Sequence, residues 1–166
     1  MPDALCILGA ALLHEAGHAL ACLFLRVPIR FLRPAPGGAR IGYDPCAVSY
    51  PGEALIAFSG PAAGLLGAAL CLPGTCGRLR ALFGICSLSL SLFNLLPVRG
   101  LDGGVLLTAL ADWMLGCGAG DRLLRVASPV CTVLLWMCAV AVQLRTGGNL
   151  SLFLLSVYLL TSLAVQ

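Results

Sequence analysis

The two histidines of this 166-residue chain lie four positions apart, and a glutamate directly follows the first of them: His14, Glu15 and His18. On a helix, side chains at positions i and i+4 share one face, so both imidazoles can bind one metal ion while Glu15 lies beside them. A carboxylate at such a site can accept a proton from an attacking water. The motif therefore predicts metal-assisted hydrolysis.

A third ligand is needed, because a catalytic zinc site usually has three protein ligands and one open position. No histidine remains, so the third ligand is expected to be a carboxylate. Asp102 is the first choice: it follows Pro97 and precedes Gly103 and Gly104, where the backbone can leave a helix and aim a side chain. Asp112 is the second choice and also suits a polar position at the membrane interface. The other candidates lie at ends or in loops, where a solvated charge is expected: Asp3, Asp44, Glu53 and Asp121.

The composition indicates the surroundings of this site. The chain is 60% hydrophobic and 10% charged, whereas an average soluble domain has about 25% charged residues. Its net charge of +3 comes from ten arginines spread along the chain, so there is no basic block for a nucleic-acid backbone. We expect an integral membrane protein in a lipid bilayer, with no nucleic acid as a partner.

The apolar runs predict an all-α polytopic membrane protein with about five transmembrane helices, since each run approaches or reaches the roughly 17 to 25 residues that a span needs. A broken or interfacial helix is expected between Pro97 and Ala127, and the segments 29–33 and 39–43 resemble a hairpin around the turn-rich residues 34–38. The whole chain, 1–166, is expected to be one membrane domain with its core at 4–110 and C-terminal helices within 127–165. The five runs are 4–25, 54–72, 81–97, 127–143 and 150–165.

The depth of the motif in the first run supports a functional role. His14 lies ten residues beyond residue 4, which is roughly 15 Å along a helix and close to the middle of a 30 Å hydrocarbon core. Ionisable groups at that depth are costly and generally mark a functional site. The arginine distribution places the N-terminus outside and the loop at 26–52 in the cytoplasm.

Two motifs together resemble those of the site-2 protease family (M50) of intramembrane zinc metalloproteases: HEAGH at 14–18 and NLLPVRGLDGG at 94–104. The compact chain also resembles the bacterial branch that includes the stage IV sporulation protease FB. The resemblance implies that His14, His18 and Asp102 bind one Zn²⁺, that Glu15 is the catalytic acid and base, and that Asn94 helps to hold the substrate. It extends to Ser59-Gly60-Pro61 and implies an active site that opens toward the cytoplasm.

The function that follows is hydrolysis of peptide bonds within or next to the transmembrane segment of a membrane-anchored protein, as in regulated intramembrane proteolysis. A membrane regulatory protein is a further expected partner. A transporter or channel is an alternative, because intramembrane His, Glu and Asp also build ion pathways. A metal-binding membrane scaffold without turnover is another, although a scaffold has no need of Glu15.

Overall fold

The computed structural model describes residues 2–28, 31–35, 38–42, 48–72 and 77–146, together with residues 154 and 157. Within these residues the fold is helical, as predicted, with one small sheet. The predicted span at 150–165 lies outside the described residues, apart from those two positions. The elements are α1 (Pro2–Phe24), β1 (Phe31–Ala35), β2 (Gly38–Gly42), α2 (Tyr50–Cys71), α3 (Arg78–Asn94), α4 (Asp102–Leu115) and α5 (Ala119–Thr146).

Three of the described helices, α1, α2 and α5, are long and apolar enough to cross a membrane. The 17 residues of α3 reach about 26 Å, slightly less than a hydrocarbon core of about 30 Å. The predicted total of five spans therefore stays a prediction. Helix α5 begins at Ala119, eight residues before the predicted start, because Asp121, Arg122 and Arg125 interrupt the apolar pattern while the backbone is already helical.

The stretch between Pro97 and Ala127, predicted to hold a broken or interfacial helix, contains the short helix α4 and the start of α5, with an interruption between them. Helix α4 has 14 residues and a length of about 21 Å, too short for a full crossing. Interruptions lie at its two ends: a turn at 95–101 precedes it, and Gly116 and Gly118, with φ of 96° and 84°, follow it. Glycine is favoured at such positive φ values because it lacks a Cβ.

Small residues bring α2 into close contact with α1 and α3. A Cβ on Gly17 of α1 would lie 2.5 Å from the Ser59 carbonyl oxygen and 2.9 Å from the Ala63 Cβ of α2. Where α2 packs against α3, a Cβ on Gly64 of α2 would overlap the Ser91 hydroxyl of α3. Such small-residue contacts are typical of helices that associate in lipid, where dispersion and hydrogen bonds hold the helices together.

The distribution of side chains between interior and surface is that of a membrane protein. Large apolar side chains are exposed, while several of the fully buried ones are small or hydroxylated. Lipid tails can cover such an apolar exterior, which in water would favour aggregation. Exposed examples are Leu12, Leu20, Leu66, Leu70 and Met114, and buried polar examples are Ser87, Ser91, Ser128 and Thr132.

An antiparallel pair of strands occupies the segment for which a hairpin was expected. Strands β1 and β2 pair from Phe31 opposite Gly42 to Ala35 opposite Gly38. The first strand begins two residues later than predicted, and the second begins and ends one residue earlier. Helix α2 begins beyond the hairpin, where the Ser49 hydroxyl accepts a hydrogen bond from the Gly52 N–H at 3.4 Å, a common N-cap arrangement.

Candidate active site

His14 and His18 lie on one face of α1, near the middle of this 23-residue helix. Their exposed fractions are 3% and 7%. The two Nε2 atoms are 3.2 Å apart, as the i, i+4 spacing on a helix predicts. Both rings therefore present the same type of ligand atom to one point inside the helix bundle.

Asp102 reaches that point from the first residue of α4. Its Oδ2 atom lies 3.0 Å from Nε2 of His14 and 3.2 Å from Nε2 of His18. The three predicted metal-binding side chains are thus brought together by α1 and by the start of α4.

The two glycines after Asp102 allow the chain to turn tightly at this place. A Cβ on Gly103 would overlap the Leu95 carbonyl, and one on Gly104 would overlap the Val98 carbonyl. The preceding turn is closed by backbone hydrogen bonds, including one from the Leu101 N–H to the Val98 oxygen at 3.1 Å. Any larger residue at 103 or 104 would push this turn away from the helix and displace Asp102.

A backbone carbonyl on α2 orients His18. The Nδ1 atom of His18 lies 2.7 Å from the Ile56 oxygen, and because a carbonyl only accepts, Nδ1 carries the proton and donates. This tautomer leaves the Nε2 lone pair directed at His14 and Asp102, an arrangement common behind metal-binding histidines. The Ser59 hydroxyl donates to the same carbonyl at 2.6 Å.

Gly60 makes room for the His18 ring, because a Cβ on Gly60 would overlap the imidazole. Neither the contact of Ile56 nor a role for Gly60 was predicted from the sequence. A backbone carbonyl leaves no side-chain signature, and the available signal was the glycine before Pro61. That proline lacks the N–H that would bond to the Ala57 carbonyl, so α2 lacks one hydrogen bond of its ladder one residue beyond Ile56.

The three side chains fit a zinc ion. Four ligand atoms about 2.0 Å from a tetrahedral zinc would lie about 3.3 Å from one another, and the three observed separations are 3.0, 3.2 and 3.2 Å. Two imidazoles and one carboxylate are also a donor set of catalytic zinc sites. Within the described residues, His14, His18 and Asp102 form a group of potential ligand atoms that all lie within 4.8 Å.

Asp112, the second choice for the third ligand, serves a different purpose. Its Oδ1 accepts a hydrogen bond at 2.8 Å from the backbone N–H of Gly120, which lies in the first turn of α5. Two other carboxylates that the sequence offered as ligands form ion pairs with arginines at the surface. Asp3 lies 3.5 Å from Arg78 and Asp121 lies 3.7 Å from Arg99.

The other two predicted site residues, Asn94 and Glu15, lie on α3 and α1. Asn94 is the last residue of α3, is 4% exposed, and donates from Nδ2 to the Leu90 carbonyl at 3.0 Å. Glu15 directly follows His14 on α1 and is partly buried. The substrate-binding role of Asn94 and the acid–base role of Glu15 stay predictions.

Comparisons with known proteins bear on the segment that carries Asp102 and on the fold. The model of Peptidase family M50 matches residues 73–138, a segment that includes Asn94 and Asp102. The fold is similar to that of the site-2 protease from Methanocaldococcus jannaschii, with a TM-score of 0.68 and 22% sequence identity over 93% of this chain and 72% of that one. No match was found among curated protein sequences. The resemblance first seen in the two motifs is confirmed by a family match to one motif and by the fold of the whole.

Proposed function

We propose that this chain is a membrane-embedded zinc metallopeptidase of peptidase family M50, whose family model matches residues 73–138. Its expected substrate is a membrane-anchored protein, cleaved within or next to its transmembrane segment. The observation that carries the proposal is the convergence of His14, His18 and Asp102 on one point, with separations of 3.0 to 3.2 Å. Two buried imidazoles and a partly buried carboxylate that meet in a helix bundle are costly unless they share a cation.

The metal would be held by Nε2 of His14, Nε2 of His18 and a carboxylate oxygen of Asp102. When bound, zinc supplies a more acidic water and an electrophile that polarises the scissile carbonyl. The Ile56 carbonyl holds the tautomer of His18 that keeps Nε2 available as a ligand.

Glu15 is the proposed proton carrier. Its carboxylate would accept a proton from the attacking water and donate it to the nitrogen of the leaving amine. Glu15 directly follows His14 on the same helix. Its distance from the metal-binding side chains therefore does not depend on substrate binding. Histidine cannot share the task, because both imidazoles of the chain are already assigned to the metal.

The substrate must be extended before it can be cleaved, because a transmembrane helix hides its carbonyls in its own hydrogen bonds. Addition of the unwound segment to a sheet edge would hold it extended through main-chain hydrogen bonds. The β1–β2 hairpin and the region near Asn94 are the proposed holders. Asn94 ends α3 only eight positions before Asp102, so its amide is suited to bind a backbone close to the ligands.

The expected orientation places the N-terminus outside and the hairpin loop in the cytoplasm. His14 and His18 lie in the half of the bundle from which the hairpin emerges, so the active site is proposed to open toward the cytoplasm. Cleavage there would release a membrane-anchored regulatory protein, as in regulated intramembrane proteolysis. A second membrane protein is the proposed regulator of access.

The test combines metal content with turnover in the purified full chain. We expect one zinc per chain in both wild type and Glu15→Gln, and loss of proteolysis of about 100- to 10,000-fold in the variant, the range typical of a general acid–base group. Membrane fragments that disappear in cells carrying Glu15→Gln, identified by mass spectrometry, would name the substrate. Proteolysis that survives in Glu15→Gln would falsify the role of this glutamate, and zinc without any proteolysis would favour the scaffold.

A further inference from the structure

A cleft with a volume of about 360 Å³ is lined in part by the segment of chain that carries Asp102. It is bordered by the start of α2, the turn before α4, α4 itself and α5. Gly100 and Gly104 both line it, and in the sequence they flank Asp102 by two residues on either side. A peptide whose scissile bond lies at the metal would therefore pass close to this cleft, since an extended chain advances only about 3.3 to 3.6 Å per residue.

The charges in and around the cleft favour a cation. Glu53 lines it and is partly buried, and in the described part of the chain no arginine lies within ion-pair distance of its carboxylate. The charged neighbour that acts on Glu53 is a second carboxylate, Asp112. Arg99 also lines the cleft, but its guanidinium is paired with Asp121 at 3.7 Å. Together, Glu53, Asp112, Asp121 and Arg99 carry a formal charge of −2, and Glu53 is the carboxylate among them that lines the cleft.

We propose that this cleft is a substrate subsite that binds a lysine or arginine side chain next to the scissile transmembrane segment, with Glu53 as the residue that determines the charge preference. The inference rests on the proposed peptidase function. Transmembrane segments carry such basic residues on their cytoplasmic flank, the side to which the active site is proposed to open. Val105 and Leu124 supply apolar walls along which the methylene stem of a lysine or arginine can pack.

The test measures binding of two labelled synthetic transmembrane peptides that differ only in a three-residue flank, Lys-Lys-Lys or Glu-Glu-Glu. The protein is the zinc-loaded full chain with Glu15→Gln, so that binding is measured without turnover. We expect the lysine peptide to bind about tenfold more tightly, the effect of one hydrogen bond to a charged group. The net charge of the chain is +3, so overall charge alone would favour the acidic peptide.

Two further substitutions assign the preference to Glu53. Glu53→Gln is expected to reduce it to less than about twofold and Glu53→Arg to reverse it. Asp3→Asn is the matched control, because it changes the net charge by the same amount at the N-terminal end of α1, where Asp3 pairs with Arg78. Zinc content checks that each variant is folded.

Several outcomes overturn the subsite: no lysine preference in the parent protein, no binding of either peptide, or a preference that Glu53→Gln leaves intact. A photo-crosslinking lysine analogue in the flank gives a second measurement that needs no variant, and labelling of residues far from 53 and 99–104 contradicts the proposal. The two proposals fail separately. Proteolysis without a lysine preference removes only the subsite, whereas lysine-selective binding without any proteolysis removes only the peptidase.

Discussion

The Oδ2 atom of Asp102 lies 3.0 Å from Nε2 of His14, although 88 positions separate the two residues in the sequence. Helix α1 supplies the histidine, and a turn inside the bundle starts α4 with the aspartate directly opposite. The geometry therefore depends on how α1 and α4 pack around α2, and less on either motif alone. This dependence allows ligand residues, packing residues and substrate-holding residues to be tested separately.

The first prediction separates the two candidate third ligands. Asp102→Ala removes a carboxylate that faces both histidines, so the purified chain should bind less than one zinc and lose proteolysis. Asp112→Ala removes the acceptor of the Gly120 N–H and should lower the free energy of unfolding by about 1 to 3 kcal/mol, the cost of a buried donor without a partner. Zinc content and thermal unfolding measure the two effects. Full zinc content in Asp102→Ala would show that another residue is the third ligand.

The second prediction concerns metal removal. Because zinc would bind the folded site and not the unfolded chain, free zinc at a hundred times its Kd should stabilise the protein by about 2.7 kcal/mol. A chelator should therefore lower Tm and stop proteolysis, and added zinc should restore both. The Asp102→Ala variant is the control, since its Tm should no longer respond to zinc or chelator. An equal response of both proteins would mean that zinc acts at some other place.

Much of the site was predictable from the sequence because its chemistry is local. Two imidazoles and a carboxylate within five residues have few structural explanations in an apolar helix. Asp102 was predictable for a related reason: Pro97 and the two glycines after Asp102 indicate a place where a backbone turns inside the membrane. Each of these signals is carried by residue types that are rare or costly in such surroundings.

Other features could not be predicted, because they depend on packing between helices distant in sequence. The Ile56 carbonyl that orients His18 is a backbone group, present at every position. The contact of Asp112 with the Gly120 N–H of α5 depends on the packing of α4 against α5, whereas the sequence alone shows a charge within an apolar run. The early start of α5 was missed because apolar content does not locate a helix end that carries charged residues.

The third prediction tests the space that α2 leaves for His18. Gly60→Ala would place a methyl group inside the imidazole ring, so His18 must move away from its hydrogen bond to the Ile56 carbonyl. We expect zinc affinity to fall about 10- to 100-fold, as when the partner behind a metal ligand is lost, with a loss of about 1 to 3 kcal/mol from overpacking. Titration with a competing zinc indicator measures the affinity.

Gly77→Ala is the matched control for Gly60→Ala. A Cβ on Gly77 meets no atom within 4 Å in the described residues, and this residue precedes α3. Zinc affinity should therefore be unchanged, and the free energy of unfolding should fall by no more than about 1 kcal/mol, because Gly77 is the N-cap of α3 and alanine is a poorer N-cap than glycine. Equal zinc affinities for Gly60→Ala and Gly77→Ala would show that the ring has room to shift.

The fourth prediction concerns the β1–β2 hairpin as a holder of the extended substrate. Replacement of residues 29–43 by a Gly-Ser linker of equal length removes both strands but none of the metal-binding side chains, which lie on α1 and α4. If the substrate adds to a strand edge through main-chain hydrogen bonds, proteolysis should fall about tenfold or more, while zinc content and its affinity stay as in wild type. The control is a Gly-Ser replacement of the loop that joins the end of α2 to the start of α3, whereas the hairpin precedes the start of α2. This replacement should leave proteolysis intact. Unchanged proteolysis without the hairpin would leave the region near Asn94 as the proposed holder, and loss of zinc would instead assign the hairpin to the stability of the helix bundle.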